Sequence, residues 1–251
     1  MCFRWTGTDA AVRRRASVGA ATYTFGELVS RLPGCNVTSD SRVHLDPDLR
    51  LDMHSPSNAP WRPMFGQCDS AERHLEKQEV DRNDLFLFFG WFRRIGHDLS
   101  FERSAHDEHV LWGWLQVDHY FDPLEVEPEW AKRHPHCLNK RRKWNRVYVG
   151  RKSLSFAPSK PGAGTFAAYH PDLRLTHPDY ARRRSQWRIP SFFREKLSYH
   201  RQAAWIPEGQ HCSISSAKIG QEFVFDTEEH ESAVQKWLHK LFSHVPGGTS
   251  Y

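Results

Sequence analysis

His44-Leu-Asp46-Pro47-Asp48 sets an imidazole and two carboxylates at alternate positions. On an extended segment these would face one side, as a mixed nitrogen and oxygen site for magnesium, manganese or iron requires. His44 and Asp46 are for the same reason acid/base candidates. Pro47 favours a turn instead, in which Asp46 and Asp48 bond to nearby backbone N–H groups, and no metal is assigned. His134-Pro-His136-Cys137 is a partial ligand set without a second pair at zinc spacing. An exposed His134 touching a polar ligand, or a plain loop, is the expectation there. Leu197-Ser198-Tyr199-His200 places a hydroxyl, a phenol and an imidazole in a row. Sequence neighbours point in different directions and no Gly-x-Ser-x-Gly elbow is present. Covalent serine chemistry is therefore disfavoured. Tyr199 is a candidate for ligand contact and His200 for proton transfer, with structural use of both as the alternative.

Two tracts combine cations with tryptophan: Lys140-Arg-Arg-Lys-Trp144-Asn145-Arg146 and Arg182-Arg-Arg184-Ser-Gln-Trp187-Arg188. Arginine and lysine neutralise phosphates while an indole stacks on an unpaired base, the combination of single-stranded nucleic-acid sites. The bland alternative is a solvated basic face with one tryptophan anchoring each tract to the core. Gly162-Ala-Gly164 lacks the strand, helix and following lysine of a phosphate-binding P-loop.

The elements positioning these residues centre on Asp84-Leu-Phe-Leu-Phe-Phe-Gly90-Trp91-Phe-Arg93 and His109-Val-Leu-Trp-Gly113-Trp114-Leu-Gln-Val117. Both are too short for helices and bounded by charge, which predicts buried strands. Glycine within a strand marks a bulge or a close approach, and Trp91 and Trp114 are placed to wall a pocket. Thr24 and Glu27 have capping-box spacing for a helix over Thr22–Leu32. Residues 33–64 are rich in turn formers and read as an extended loop. Ser70–Glu79 reads as a helix, and 94–108 as a hairpin-like link. A helix is expected around 127–133, and strands over 146–151 and 153–156. A loop follows at 160–165, with a short strand near 173–176. Tyr180–Leu197 suits one helix broken at Pro190, and 222–225 a strand. Glu229–Phe242 is a terminal amphipathic helix with Val234, Trp237, Leu238 and Leu241 on one face. Asp46-Pro-Asp-Leu-Arg-Leu echoes His170-Pro-Asp-Leu-Arg-Leu, read as two similar turns leading into strands.

The chain of 251 residues carries a net charge of +5, which permits an anionic partner without a histone-like excess. Its 10 Trp, 16 Phe and 7 Tyr supply enough burial to argue against disorder. Five cysteines, odd in number and without a Cys-x-x-Cys, argue against a disulfide framework or zinc ribbon. No apolar run reaches the ~18–20 residues of a membrane span. A cytoplasmic protein without membrane association is the expectation. No cofactor and no protein partner follows from the residues.

In order, His44-Leu-Asp-Pro-Asp-Leu, Trp61-Arg-Pro, Phe65-Gly-Gln67, Ala71 and His74-Leu75 lead into the two Gly-Trp strands. His134-Pro-His136, Asn145-Arg146 with Tyr148-Val149, Gly162-Ala-Gly-x-Phe166, Arg184-Ser-x-Trp187, Leu197-Ser-Tyr-His200 and Gly220-Gln221-Glu-Phe-Val224 complete the series. This order resembles the nucleotide modification associated domain 3 family, assigned to DNA base hypermodification, over roughly residues 22–242. Residues 1–21 are then an atypical, loosely ordered N-terminus and 243–251 a flexible tail. The two Gly-Trp strands are more distantly similar to PUA-like barrels, a group that includes readers of modified bases.

The resemblance implies a nucleotide or DNA partner and modification of a base, with a non-catalytic reader of modified bases as one alternative. A metal-dependent enzyme acting on small nucleotides, with His44, Asp46 and Asp48 around a divalent ion, is the other. The fold expected is α+β, a curved mixed or antiparallel sheet, barrel-like or PUA-like, flanked by short helices. In the site envisaged, Arg93, Arg146 and Arg184 hold phosphate, Trp91 or Trp114 stacks, and Gln67, Asn145 or Gln221 reads polar edges. His134 and Tyr199 touch the ligand, and His44, Asp46 and His200 carry acid/base work.

Overall fold

The computed structural model describes residues 15–18, 21–34, 45–54, 60–180, 183–194, 197–198, 205–216 and 222–246. Among the expected site residues, His44, Tyr199, His200 and Gln221 lie outside these.

An N-terminal hairpin pairs β1 (Arg15–Val18) with β2 (Ala21–Thr24), so part of the stretch expected to be loose is regular. Helix α1 (Phe25–Arg31) starts at Thr24 with the capping box in place: the Glu27 amide donates to Thr24 Oγ1, and Glu27 Oε2 accepts from the Thr24 amide at 2.8 Å.

The main sheet contains β3 (Met64–Gln67), β4 (Leu85–Phe92), β5 (Glu108–Phe121), β6 (Arg146–Gly150) and β7 (Ala163–Thr165). Its order is β3-β6-β5-β4, with β7 also paired to β5, and every ladder is antiparallel. Helix α2 (Asp69–Lys77) follows β3 directly, and the single turn α3 (Pro135–Leu138) precedes β6. Phe65 on edge strand β3 meets Phe86 and Phe88 on edge strand β4, with ring centres 5.1 and 5.0 Å apart. Contact between the two edges means the sheet curls strongly. No ladder joins β3 to β4 among the described residues, so no closed barrel is found there.

The Gly-Trp strands behave as their glycines predict. Phe88 pairs with Gly113 and Phe89 with Leu111, which leaves Trp112 as the extra residue of a bulge. A Cβ on Gly113 would stand 3.0 Å from the Gly164 carbonyl, so its absence lets β7 close on β5.

The second half is more strand-rich than its sequence suggested. Residues 186–190 form strand β8 (Gln186–Pro190) rather than half of a broken helix. The arginines before it are good helix formers, but Trp187 and Ile189 are buried while their neighbours are not, a period of two. Pairing with β11 (His211–Ser215), itself flanked by β10 (Ile206–Glu208), satisfies its backbone. A two-residue ladder joins β9 (Leu197–Ser198) to β12 (Val224–Phe225). The helix expected near 127–133 is one 3-10 turn after Pro128. The strand expected at 153–156 is only a bridge from Ser153 to Pro161, and β7 occupies the expected loop. Helix α4 (Glu231–Phe242) buries Val234, Leu241 and Phe242. Beyond it Val245 is buried, so residues 243–246 belong to the body rather than to a loose tail. No described helix is long and apolar enough to cross a membrane.

Candidate active site

Four segments distant in sequence meet at the outer edge of β3 and β6. Asp46 comes from the loop before β3, Gly66 from β3, His134 and His136 from the α3 turn, and Asn145 and Arg146 from the start of β6. The Gly66 amide donates to Asp46 Oδ1 at 2.9 Å. His136 Nε2 lies 3.1 Å from Asp46 Oδ2, and its Nδ1 lies 2.5 Å from Asn145 Oδ1. Both acceptors suit a doubly protonated ring. Burial opposes that charge, but the Asp46 carboxylate and the Asn145 bond outweigh it and raise the His136 pKa. Both ring nitrogens of His136 are thus engaged, one by Asp46 and one by Asn145.

Gly66 is a spatial requirement of this arrangement. A Cβ there would overlap the His136 ring and come within 2.9 Å of His134 Cε1. His134 caps α3, its Nδ1 accepting the His136 amide at 3.3 Å. Its Nε2 is buried without a hydrogen-bond partner among the described residues, 3.6 Å from Asp46 Oδ1. His134 is therefore buried rather than the exposed ligand contact expected from its loop sequence. Asn145 is likewise consumed internally: its amide N–H groups donate to the His136 and Lys140 carbonyls. It has no edge to offer a base.

Beside this pair, Glu72 of α2 is buried at 1% exposure. Tyr148 donates its phenol proton to Glu72 at 2.9 Å, and Arg146 Nη1 lies 3.0 Å from Glu72 Oε1. Burial raises the Glu72 pKa to about 7, against the lowering effect of the Arg146 charge and the Tyr148 bond. A carboxylic acid that titrates at neutral pH is what general acid/base work calls for. Burial also raises the Tyr148 pKa, so the phenol stays protonated. Cys68 and Cys137 are pushed up to about 11 by burial and are not thiolate nucleophiles.

Outside Glu72 the surface is basic and aromatic. The Arg146 guanidinium sits 4.1 Å from the centre of the Tyr120 ring, and Arg73 lies 5.0 Å from that of Trp144. Both aromatics are exposed. Trp144 has φ +45° and Asp69 φ +59°, left-handed conformations that cost on the order of 1–3 kcal/mol each in non-glycine residues. The two are tied at one junction: the Asp69 amide donates to the Lys143 carbonyl at 2.8 Å, and Arg142 pairs with the Asp69 carboxylate at 2.5 Å.

The remaining expected residues among those described do not join this cluster. Trp114 is 1% exposed and donates its indole N–H to the Pro161 carbonyl, packed on Phe166 and Phe242. It is core, and cannot stack on a ligand. Trp91 is 42% exposed, with the Arg184 guanidinium 3.9 Å from its ring centre, and Arg93 covers Phe101 at 4.4 Å. Trp91 pairs with His109 at the start of β5, whereas Tyr120 lies near its end. Those points are separated by about 36 Å of strand at ~3.3 Å per residue. Arg146 and Arg184 thus mark two places, not the single pocket expected.

Gln67 donates to Glu222 at 2.8 Å and accepts the Cys68 amide, and Ser198 Oγ lies 3.1 Å from His74 Nε2. Asp46 and Asp48 serve different partners. The Asp48 carboxylate accepts from the Trp61 indole at 3.0 Å and lies 2.9 Å from His54 Nε2.

Glu72 and Tyr120 were not singled out in the sequence, and Tyr148 only as part of the family-like series. One signal existed for Glu72: it lies three residues before Leu75, on the buried stripe of α2.

An open, mostly antiparallel sheet with few short helices defines an α+β protein. Residues 13–226 match the family described as nucleotide modification associated domain 3, and the chain belongs to that family. No curated protein and no solved structure matches it.

Proposed function

We propose that the chain modifies a nucleotide or DNA base, received at the Tyr120–Arg146 face with Glu72 as the acid/base group. One observation supports this reading above the rest: Arg146 faces the exposed Tyr120 ring on one side and the buried Glu72 carboxylate on the other. A phosphate arriving at that face competes for the guanidinium. Drawing Arg146 away removes the charge that lowers the Glu72 pKa, so the carboxyl takes up a proton and becomes an acid at neutral pH. Tyr120 then offers its ring to the base. The Asp46–His136–Asn145 set braces the β3–β6 edge on which this happens. Comparing nucleosides by mass spectrometry from cells with the gene, without it, and with Glu72→Gln tests the reading. Loss of one modified nucleoside in both altered strains is expected; an identical profile in all three would overturn it.

A second reading, a reader of modified bases without chemistry, draws on Trp91. That indole is open to solvent and cation-capped by Arg184, far along β5 from Glu72. It requires an unchanged nucleoside profile together with binding to modified DNA that Trp91→Ala abolishes.

A further inference from the structure

Away from the Glu72 network, the 3-10 turn after His170 and the end of α4 bring together two imidazoles and a carboxylate. His170 Nδ1 lies 3.2 Å and His244 Nε2 3.8 Å from Asp172 Oδ2. The two rings are stacked, with centres 3.7 Å apart. One ligand atom from each of the three residues lies within 4.8 Å of the others. Lys240 holds Asp172 Oδ1 at 2.6 Å, which leaves Oδ2 as the oxygen turned to the imidazoles. A tetrahedral metal with bonds of about 2.0 Å has ligand–ligand edges of about 3.3 Å, which the two imidazole-to-carboxylate distances bracket. To hold an ion the stacked rings would part to face it, and His170 Nδ1 would give up the Asp172 amide that it accepts at 3.3 Å.

We propose that His170, Asp172 and His244 form a zinc site. Two imidazoles and one carboxylate are borderline donors that suit Zn2+ over Mg2+ or Ca2+, and three protein ligands leave a fourth position for water. Lys240, bonded to the oxygen that does not face the imidazoles, is the outer partner that fixes the carboxylate's orientation. The ion would tie the segment after α4 to the turn that carries buried Leu173, fastening the terminal helix to the sheet. Its place is independent of the Glu72 site, and so is its test.

The test is titration of the purified full chain with ZnCl2 by calorimetry, alongside melting with and without zinc. The variants are His244→Ala, at an exposed position, and Asp172→Asn. The wild type is expected to bind one zinc, and both variants to bind it at least about tenfold more weakly, one decade being about 1.4 kcal/mol. Melting should rise with zinc in the wild type only, and MgCl2 should shift none of the three proteins. Metal-free melting of His244→Ala close to wild type separates loss of a ligand from loss of the fold. Absence of zinc binding by the wild type, or equal zinc affinity in wild type and His244→Ala, would overturn the proposal.

Discussion

Arg146 Nη1 stands 3.0 Å from Glu72 Oε1, at the boundary where a carboxyl with almost no solvent exposure meets an exposed aromatic face. The cation keeps Glu72 from rising beyond about 7, so any anion that takes Arg146 frees a proton acceptor. Binding of a mononucleotide at pH 7 should therefore be accompanied by uptake of up to about half a proton per site, since Glu72 is half ionised there. Calorimetry in two buffers of different ionisation heat reads this directly. Glu72→Gln should bind without uptake, and Arg146→Ala should bind about tenfold or more weakly with a flatter salt dependence.

Gly66 gives a sharper test of the Asp46–His136 pair. Adding a methyl group there forces the His136 ring aside, at a cost of about 2–3 kcal/mol. Gly209, with φ +64° and nothing near a would-be Cβ, provides the control, and Gly209→Ala should cost about 1 kcal/mol. Urea denaturation separates the two, and Gly66→Ala should in addition shift the imidazole resonances of His136.

The two Gly-Trp tryptophans should part company. Trp114→Ala empties a core site and is expected to cost about 3–5 kcal/mol. Trp91→Ala should cost on the order of 1–2 kcal/mol because much of its ring is already in water. Thermal melting of both variants decides it, and equal losses would contradict the placement of Trp114.

Acid stability should report on His109. Burial, helped by the nearby Arg184 charge, lowers its pKa from the ordinary 6.5 to about 4. Its Nδ1 accepts the Trp187 indole N–H at 2.9 Å, which requires that nitrogen unprotonated. The unfolded chain therefore takes the proton first. Stability from this group is complete above pH 6.5 and is lost as pH falls toward 4, by up to about 3 kcal/mol. Denaturant unfolding between pH 7 and 4.5 should follow that slope, and Arg184→Gln should make it shallower.

Local signals were legible where they act locally. The Thr24–Glu27 box, the α2 and α4 patterns and both Gly-Trp strands read correctly because capping, periodicity and glycine sterics need no distant partner. Strand β8 was hidden because its period of two spans only five residues and follows three arginines that suit a helix. Its state is set by pairing with β11, which the local sequence does not encode. The site was half legible. Asp46, His136, Asn145 and Arg146 stood in recognisable motifs, but their convergence depends on β3 pairing with β6. Glu72 was harder to read for another reason, its one signal being a place on the buried stripe of α2. A glutamate in a helix reads as a surface residue, and only the Tyr148 and Arg146 opposite it reveal why it is buried.

The central claim is that Glu72 ionises near neutrality. A carbon-13 titration of the glutamate side-chain carboxyls, with the Glu72 resonance assigned by its loss in Glu72→Gln, measures this without any assumed substrate. The account predicts a midpoint at about 7 that moves upward in Arg146→Ala. A midpoint in the ordinary carboxylate range near 4.5, unmoved by that substitution, would contradict it.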